Sequence, residues 1–269
     1  MWRAFISRAR CLSLACGLSL IWLPTDIAAQ MLDFPRPVNQ ASSFNEPFGL
    51  PTVQVTTGAL RDRWLKLEEK MEAERLVIRT CEENRASCSS LAALQFLSII
   101  DIGRSSGGRG RLGKINRAVN LSIRPMSDLS INGEEDVWSS PLTTLGIGAG
   151  DCEDYAIAKF FALQEAGVSP DDLRIVVLRD IFRGEDHAVV AARLDGNWLM
   201  LDNRRMAMIE DRQMPNFQPV FLIDHGGVKS YVEPSSAPNA SHLVRRLEFS
   251  LSKANTGAQM RWIAARRPQ

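Results

Sequence analysis

Cys152 closes a glycine-rich approach, Gly148-Ala-Gly150-Asp151, and opens a helical pattern that runs from Cys-Glu-Asp-Tyr to Phe160-Phe161. A cysteine in the first turn of a helix meets free backbone amides and the positive end of the helix dipole, and both favour a thiolate. The chemistry such a placement suits is nucleophilic attack on a carbonyl. Asp151 is a good N-cap residue, and Asp154 three positions on suits a capping box. Ile157, Phe160 and Phe161 recur at helical spacing, and Gly167 with Pro170 ends the pattern. A lone cysteine is more often a small buried hydrophobe than a nucleophile. Here the charged neighbours Asp151, Glu153 and Asp154 are odd company for a core residue, and a base with a carboxylate follows downstream.

That base is His187. Residues 187–193 and 197–202 alternate like strands around Asp195-Gly196, a strong hairpin signal. A two-residue turn pairs Leu194 with Asn197 and Val189 with Asp202. Asp202 then shares a face with Val189 and, by alternation, with His187. The two are diagonal neighbours, roughly 7–8 Å apart between backbones and within side-chain reach; a slip of one residue would send them to opposite faces. In the order Cys, His, Asp, a thiolate attacks a carbonyl, His187 supplies a proton to the leaving amine, and Asp202 orients the imidazole. His225 sits in an Asp-His-Gly-Gly turn and His242 in the C-terminal segment, so both compete poorly.

The chain that must position these groups has 269 residues, 45% hydrophobic, which fits one domain with tails. Residues 1–29 read as a secretory signal: Arg3, Arg8 and Arg10, a short apolar stretch, and Ile27-Ala28-Ala29 as a cleavage site. The expected address is therefore the periplasm. An uncleaved anchor is the rival, and a lipoprotein cysteine at Cys16 is less well supported. Loss of this segment removes three arginines and one aspartate, leaving 29 basic and 30 acidic residues, a net charge of −1 that predicts no nucleic-acid partner. Of the remaining cysteines, Cys81 and Cys88 suit a local disulfide in an exported protein, which leaves Cys152 as the odd thiol. No second Cys/His pair has zinc-ligand spacing.

Residues 30–57, rich in proline, read as an extended lead-in. Leu60, Trp64, Leu67, Met71 and Ile78 mark a surface helix; 81–88 reads as a loop. Ser89-Ser90 caps a second helix with Leu91, Leu94, Leu97 and Ile100 inward. Gly108-x-Gly110-x-x-Gly113 formally matches a dinucleotide fingerprint. No strand precedes it and no βαβ pattern surrounds it, so residues 103–113 read as a flexible basic loop. A third helix presents Leu112, Ile115, Val119 and Ile123. Residues 127–135 read as a turn, and Ser140-Pro141 opens a short helix. Residues 173–178 read as a strand, and 217–224 with 228–232 as a further hairpin. The expected peptidase domain is 58–232. Residues 233–269 read as a linker and basic tail, solvated by default, with contact to an acidic membrane surface the minority reading.

Asp136-Val-Trp138, Gly150-Asp-Cys-Glu-Asp-Tyr-Ala-Ile-Ala-Lys159, Asp186-His187-Ala-Val and Leu201-Asp-Asn203 together resemble the bacterial transglutaminase-like cysteine proteinases, over roughly residues 64–232. The resemblance implies an α+β papain-like fold, with N-terminal helices and the catalytic cysteine at a helix N-terminus packed on an antiparallel sheet. It implies the triad Cys152, His187 and Asp202 reached above. LapG-type members need calcium, and the matching positions are Asp151, Glu153 and Asp154. Physically, carboxylates around a thiol raise its pKa, a dication offsets them, and carboxylate oxygens are the ligands calcium prefers. Trp138 is expected to shape the substrate groove, to line the oxyanion site or to join the core, and the Cys152 amide to donate to an oxyanion. For LapG-type members the substrate is a surface adhesin cut in its periplasmic region, and the partner is an inner-membrane cyclic-di-GMP receptor. The basic 103–113 stretch and the long tail depart from that pattern. Two rivals share the residues: a transamidase or amidase using the same acyl-enzyme, and a non-catalytic calcium-responsive binding module.

Overall fold

The computed structural model describes residues 45–232; the signal-like segment, most of the lead-in and the tail lie outside the described residues. Helix α1 (Ala59–Glu83) buries Trp64, Leu67, Met71 and Ile78, the stripe its spacing predicted. It runs two residues past Cys81, and a 3-10 turn, Arg85–Ser87, returns the chain to Cys88. The Cys81–Cys88 disulfide therefore staples a helix end rather than a loop. Helix α2 (Leu91–Arg104) is capped by the Ser90 hydroxyl, which accepts the Ala93 amide at 3.2 Å. Its buried face is Ala93, Phe96, Leu97, Ile99 and Ile100. Leu91, expected inward, is 82% exposed because the first helical residue falls off that stripe.

The basic glycine-rich stretch is not a loop. Helix α3 (Gly108–Ser122) begins at the first of its fingerprint glycines and buries Leu112, Ile115, Asn116 and Val119. Glycines lower intrinsic helix propensity, but burial of one apolar face outweighs them. The turn-like stretch 127–135 likewise contains a short helix, α4 (Asp128–Asn132), ended by Gly133 at φ 72°.

Two strands of two residues, β2 (Arg124–Pro125) and β3 (Ala149–Gly150), pair in parallel and tie the chain before α4 to the approach to Cys152. Between them α5 (Pro141–Ile147) starts at the predicted Ser140-Pro141 and ends at Gly148, φ 70°. Helix α6 (Cys152–Glu165) follows, and its residues 154–163 are all buried.

The second half of the domain is sheet. Strands β4 (Leu173–Asp180), β5 (Glu185–Leu194), β6 (Asn197–Leu201), β7 (Ile209–Glu210), β8 (Phe217–Asp224) and β9 (Gly227–Tyr231) join β1 (Thr52–Gln54) in one antiparallel sheet of order β1-β9-β8-β4-β5-β6-β7. The end of the lead-in is thus an edge strand, with Thr52 opposite Tyr231. Just before it, Glu46 pairs with the buried Arg174 at 2.7 Å. One face, with Ile175, Val190 and Leu199, packs on the helices; the other, with Val176, Val189 and Met200, is closed by Phe48, Met214 and Phe217. Helices in one layer and an antiparallel sheet in the other make the fold α+β, as expected. No helix among the described residues is long and apolar enough to cross a membrane.

Candidate active site

The hairpin forms in the anticipated register. Leu194 faces Asn197 and Val190 faces Leu201, with Asp195 and Gly196 at positive φ in the turn. That register brings His187 Nε2 to 2.8 Å from Asp202 Oδ1, and both side chains are buried. The Arg204 amide donates to the same oxygen at 2.9 Å. Burial works to raise the Asp202 pKa, but His187, the Arg204 amide and Lys159 together outweigh it, and the carboxyl sits below its ordinary value. His187 Nδ1 is buried with no hydrogen-bond partner among the described residues.

Cys152 stands at the first position of α6, half-buried. Its approach is fixed from both sides. The Met126 amide donates to Gly150 O at 2.9 Å and the Arg124 amide to Gly148 O at 3.0 Å. Gly150 is required for contact: a Cβ there would lie 2.5 Å from Asp154 Oδ2 and 2.8 Å from Asp154 Cβ. The amide of Ala188, the residue after His187, lies where it favours the ionised thiol. The structure thus brings the cysteine to the His187 strand. The thiol's own hydrogen bond, however, runs to Glu153 Oε2 at 3.1 Å rather than to the imidazole. Burial first, then the Glu153 charge, push the thiol well above its ordinary pKa. The helix N-terminus alone predicted the opposite direction; burial, together with the carboxylates in the same turn, overcomes it.

Those carboxylates form a cluster that differs from the expected one by a single member. Oxygens of Asp128, Asp151 and Glu153 lie within 4.8 Å of one another. Asp154 is not part of it. Its Oδ1 accepts the Ser139 amide at 2.9 Å, and burial followed by the charges of Asp151 and Asp128 raises its pKa to about 7. Asp128 takes the third place because the β2–β3 pairing sets the start of α4 beside Gly150; no spacing along the chain signals that meeting. Asp128 is held by the Val137 amide at 2.5 Å and the Asn132 side chain at 3.2 Å, and its own amide points to Asp151 Oδ2 at 3.4 Å. Asp151 is therefore an N-cap by position only, since its side chain caps nothing in α6. Burial and then the Asp151 charge push the Glu153 carboxyl well up. Asp151 Oδ1 is buried without a partner among the described residues. Three converging carboxylates with an unengaged buried oxygen fit a hard dication.

Trp138 is buried and donates from Nε1 to Asp136 Oδ1 at 3.1 Å, and Asp136 in turn pairs with Arg63 of α1 at 2.5 Å. Trp138 packs within the core.

The sequence model of the family described as bacterial transglutaminase-like cysteine proteinase matches residues 76–216. That span contains Cys152, His187, Asp202 and all three cluster carboxylates. No curated protein sequence matches the chain. Among solved structures, calcium-bound LapG of Legionella pneumophila is 24% identical, with a TM-score of 0.49, over 63% of this chain and 98% of that one. The EGTA-treated form of the same protein gives 24% identity and a TM-score of 0.48 over 63% and 91%.

Proposed function

Because the chain belongs to the bacterial transglutaminase-like cysteine proteinases and is a cysteine peptidase, we propose that it cleaves an exported protein through Cys152, His187 and Asp202. The observation that carries this reading is the His187–Asp202 hydrogen bond at 2.8 Å, which uses Nε2 and leaves Nδ1 as the nitrogen that can exchange a proton. In the reaction the Cys152 thiol gives its proton to His187 Nδ1 as its sulfur bonds to the scissile carbonyl carbon. The oxygen gathers negative charge beside the Cys152 amide at the start of α6. His187 delivers its Nδ1 proton to the leaving amine as the C–N bond breaks. A water molecule, losing a proton to His187, then releases the acid and restores the thiol. Asp202 keeps the imidazole in the one tautomer and orientation that this sequence of transfers requires.

Asp128, Asp151 and Glu153 are the residues that would hold calcium. Bound there, it would supply positive charge that offsets the carboxylates around the thiol. A cation held by Glu153 would compete with the hydrogen bond that Glu153 Oε2 makes with the Cys152 sulfur.

The N-terminal segment supports a periplasmic address. The protein substrate is sought among exported proteins, with a surface adhesin the first candidate and an inner-membrane cyclic-di-GMP receptor the candidate regulator. The test is proteolysis of an exported-protein extract by the chain, with and without a calcium chelator, beside Cys152→Ala. Cleavage lost in both treatments is expected. Cleavage that survives the chelator removes calcium from the account, and cleavage that survives Cys152→Ala removes the nucleophile. Amine incorporation with release of ammonia in place of cleavage would make the enzyme a transamidase.

A further inference from the structure

Asp202 does not sit on a strand. Strand β6 ends at Leu201, and the carboxylate that orients His187 is carried by the irregular segment 202–206. Such a segment has no ladder to fix it, yet a triad carboxylate must hold its place closely. Two helices beneath the sheet reach up to it with polar side chains.

From α6, Lys159 is fully buried, an unusual state for a lysine. Its Nζ donates to Leu201 O at 3.3 Å and lies 5.8 Å from the centre of the Tyr155 ring. From α3, the Asn120 amide donates to Asp202 O at 3.0 Å and to Arg205 O at 3.1 Å. One turn earlier Asn116, also fully buried, donates to Arg205 O at 3.3 Å and Met206 O at 3.1 Å. The two asparagines are four residues apart, so they stand one above the other on a single helix face. Both amide nitrogens are spent on that segment, while the two side-chain oxygens are buried without a partner among the described residues.

We propose that Lys159 and Asn120 are positioning residues for the triad: they grip the consecutive carbonyls of Leu201 and Asp202 and so set the carboxylate that orients His187. Asn116 extends the same grip to the far end of the segment. The inference rests on the peptidase reading above, but the grip itself is a property of the resting protein. Lys159 has a second effect, since its charge, when present, favours the ionised form of Asp202. As an amine it still donates to Leu201 O, so the grip does not depend on that charge.

The experiment compares the whole chain with Asn120→Ala, Lys159→Met and Asp202→Asn. Two quantities are read: the downfield proton NMR resonance of the His187–Asp202 hydrogen bond, and kcat and KM on the cleaved substrate. Asp202→Asn should remove the resonance. Asn120→Ala and Lys159→Met should shift or broaden it and lower kcat by about 10- to 100-fold with KM little changed, as displacement of an orienting group does. A merely structural role would lower the unfolding temperature and leave both readouts alone. Asn120 is only part-buried, so its variant keeps the proposal open to refutation if Lys159→Met does not fold. Wild-type resonance and kcat in folded Asn120→Ala would overturn it. The resonance needs no turnover, so failure of the peptidase reading, seen as cleavage that survives Cys152→Ala, is a separate result.

Discussion

At the His187 end of the site the protein supplies its own partners. Asp202 receives the imidazole and the Arg204 amide, its segment is held by Asn120 and Lys159, and the one nitrogen left over is the one the chemistry needs. At the Cys152 end, three carboxylates converge, two of them flank the thiol, and burial with mutual repulsion drives the Glu153 and Cys152 pKa values upward. The first region is built on a hairpin whose register closes the contact. The second is built where a helix start meets two short strands, and its carboxylates repel one another. One half of this site is assembled by folding; in the other, the proposed cation would offset the converging carboxylates.

The largest effects should come from breaking the assembled half. Cys152→Ala, His187→Ala and Asp202→Asn should each lower kcat/KM by about 10³-fold or more, because the three act as a unit. The check is cleavage kinetics at matched folded fraction. On the other half, Asp128→Asn and Asp154→Asn separate the proposed ligand from a structural acid. Asp128→Asn should weaken calcium binding by about tenfold or more in calorimetry. Asp154→Asn should leave that affinity in place and cost about 1–3 kcal/mol of unfolding free energy, through the bond to the Ser139 amide. Gly150→Ala should lower stability by about 1–3 kcal/mol in denaturant titration, since its Cβ has no room beside Asp154. Away from both halves, removal of the Cys81–Cys88 bond should cost about 2–3 kcal/mol in the same titration, with cleavage kinetics unaltered. The smallest effect is a pH dependence. Burial lowers the Lys159 pKa from 10.5 to about 7, so between those values the unfolded chain binds a proton that the folded chain does not. Stability should therefore rise with pH across that window, and Lys159→Met should lose that rise in thermal unfolding.

The two halves also differed in how far they could be read from the chain. His187 and Asp202 were legible because turn chemistry and a period of two fix a hairpin locally, and Leu194–Asn197 pairing carried the geometry outward. Cys152 was legible from its glycines and helix. The acidic cluster was legible only where it is contiguous. Asp151 and Glu153 flank the cysteine, but Asp128 arrives through a parallel pairing of two-residue strands across 23 positions, and Asp154, correctly spaced for a cap, turns to Ser139 instead. Helix α3 was legible from the spacing of Leu112, Ile115 and Val119, but its first turn was hidden by Gly108 and Gly110, whose local propensity opposes a helix that burial further along supports. The contacts of Asn116 and Asn120 with residues 202–206, and the reach of Lys159 to Leu201, depend on separate elements meeting in space, which no spacing along the chain signals.

The most direct test of the contrast between the halves is the rate at which a thiol-directed acylating probe labels Cys152, measured with calcium and with a chelator. If calcium completes the cysteine half, labelling should slow by about tenfold or more on chelation, each unit of thiol pKa being worth up to that factor in thiolate. The His187–Asp202 resonance should stay unchanged. Equal labelling rates in the two conditions would contradict the account.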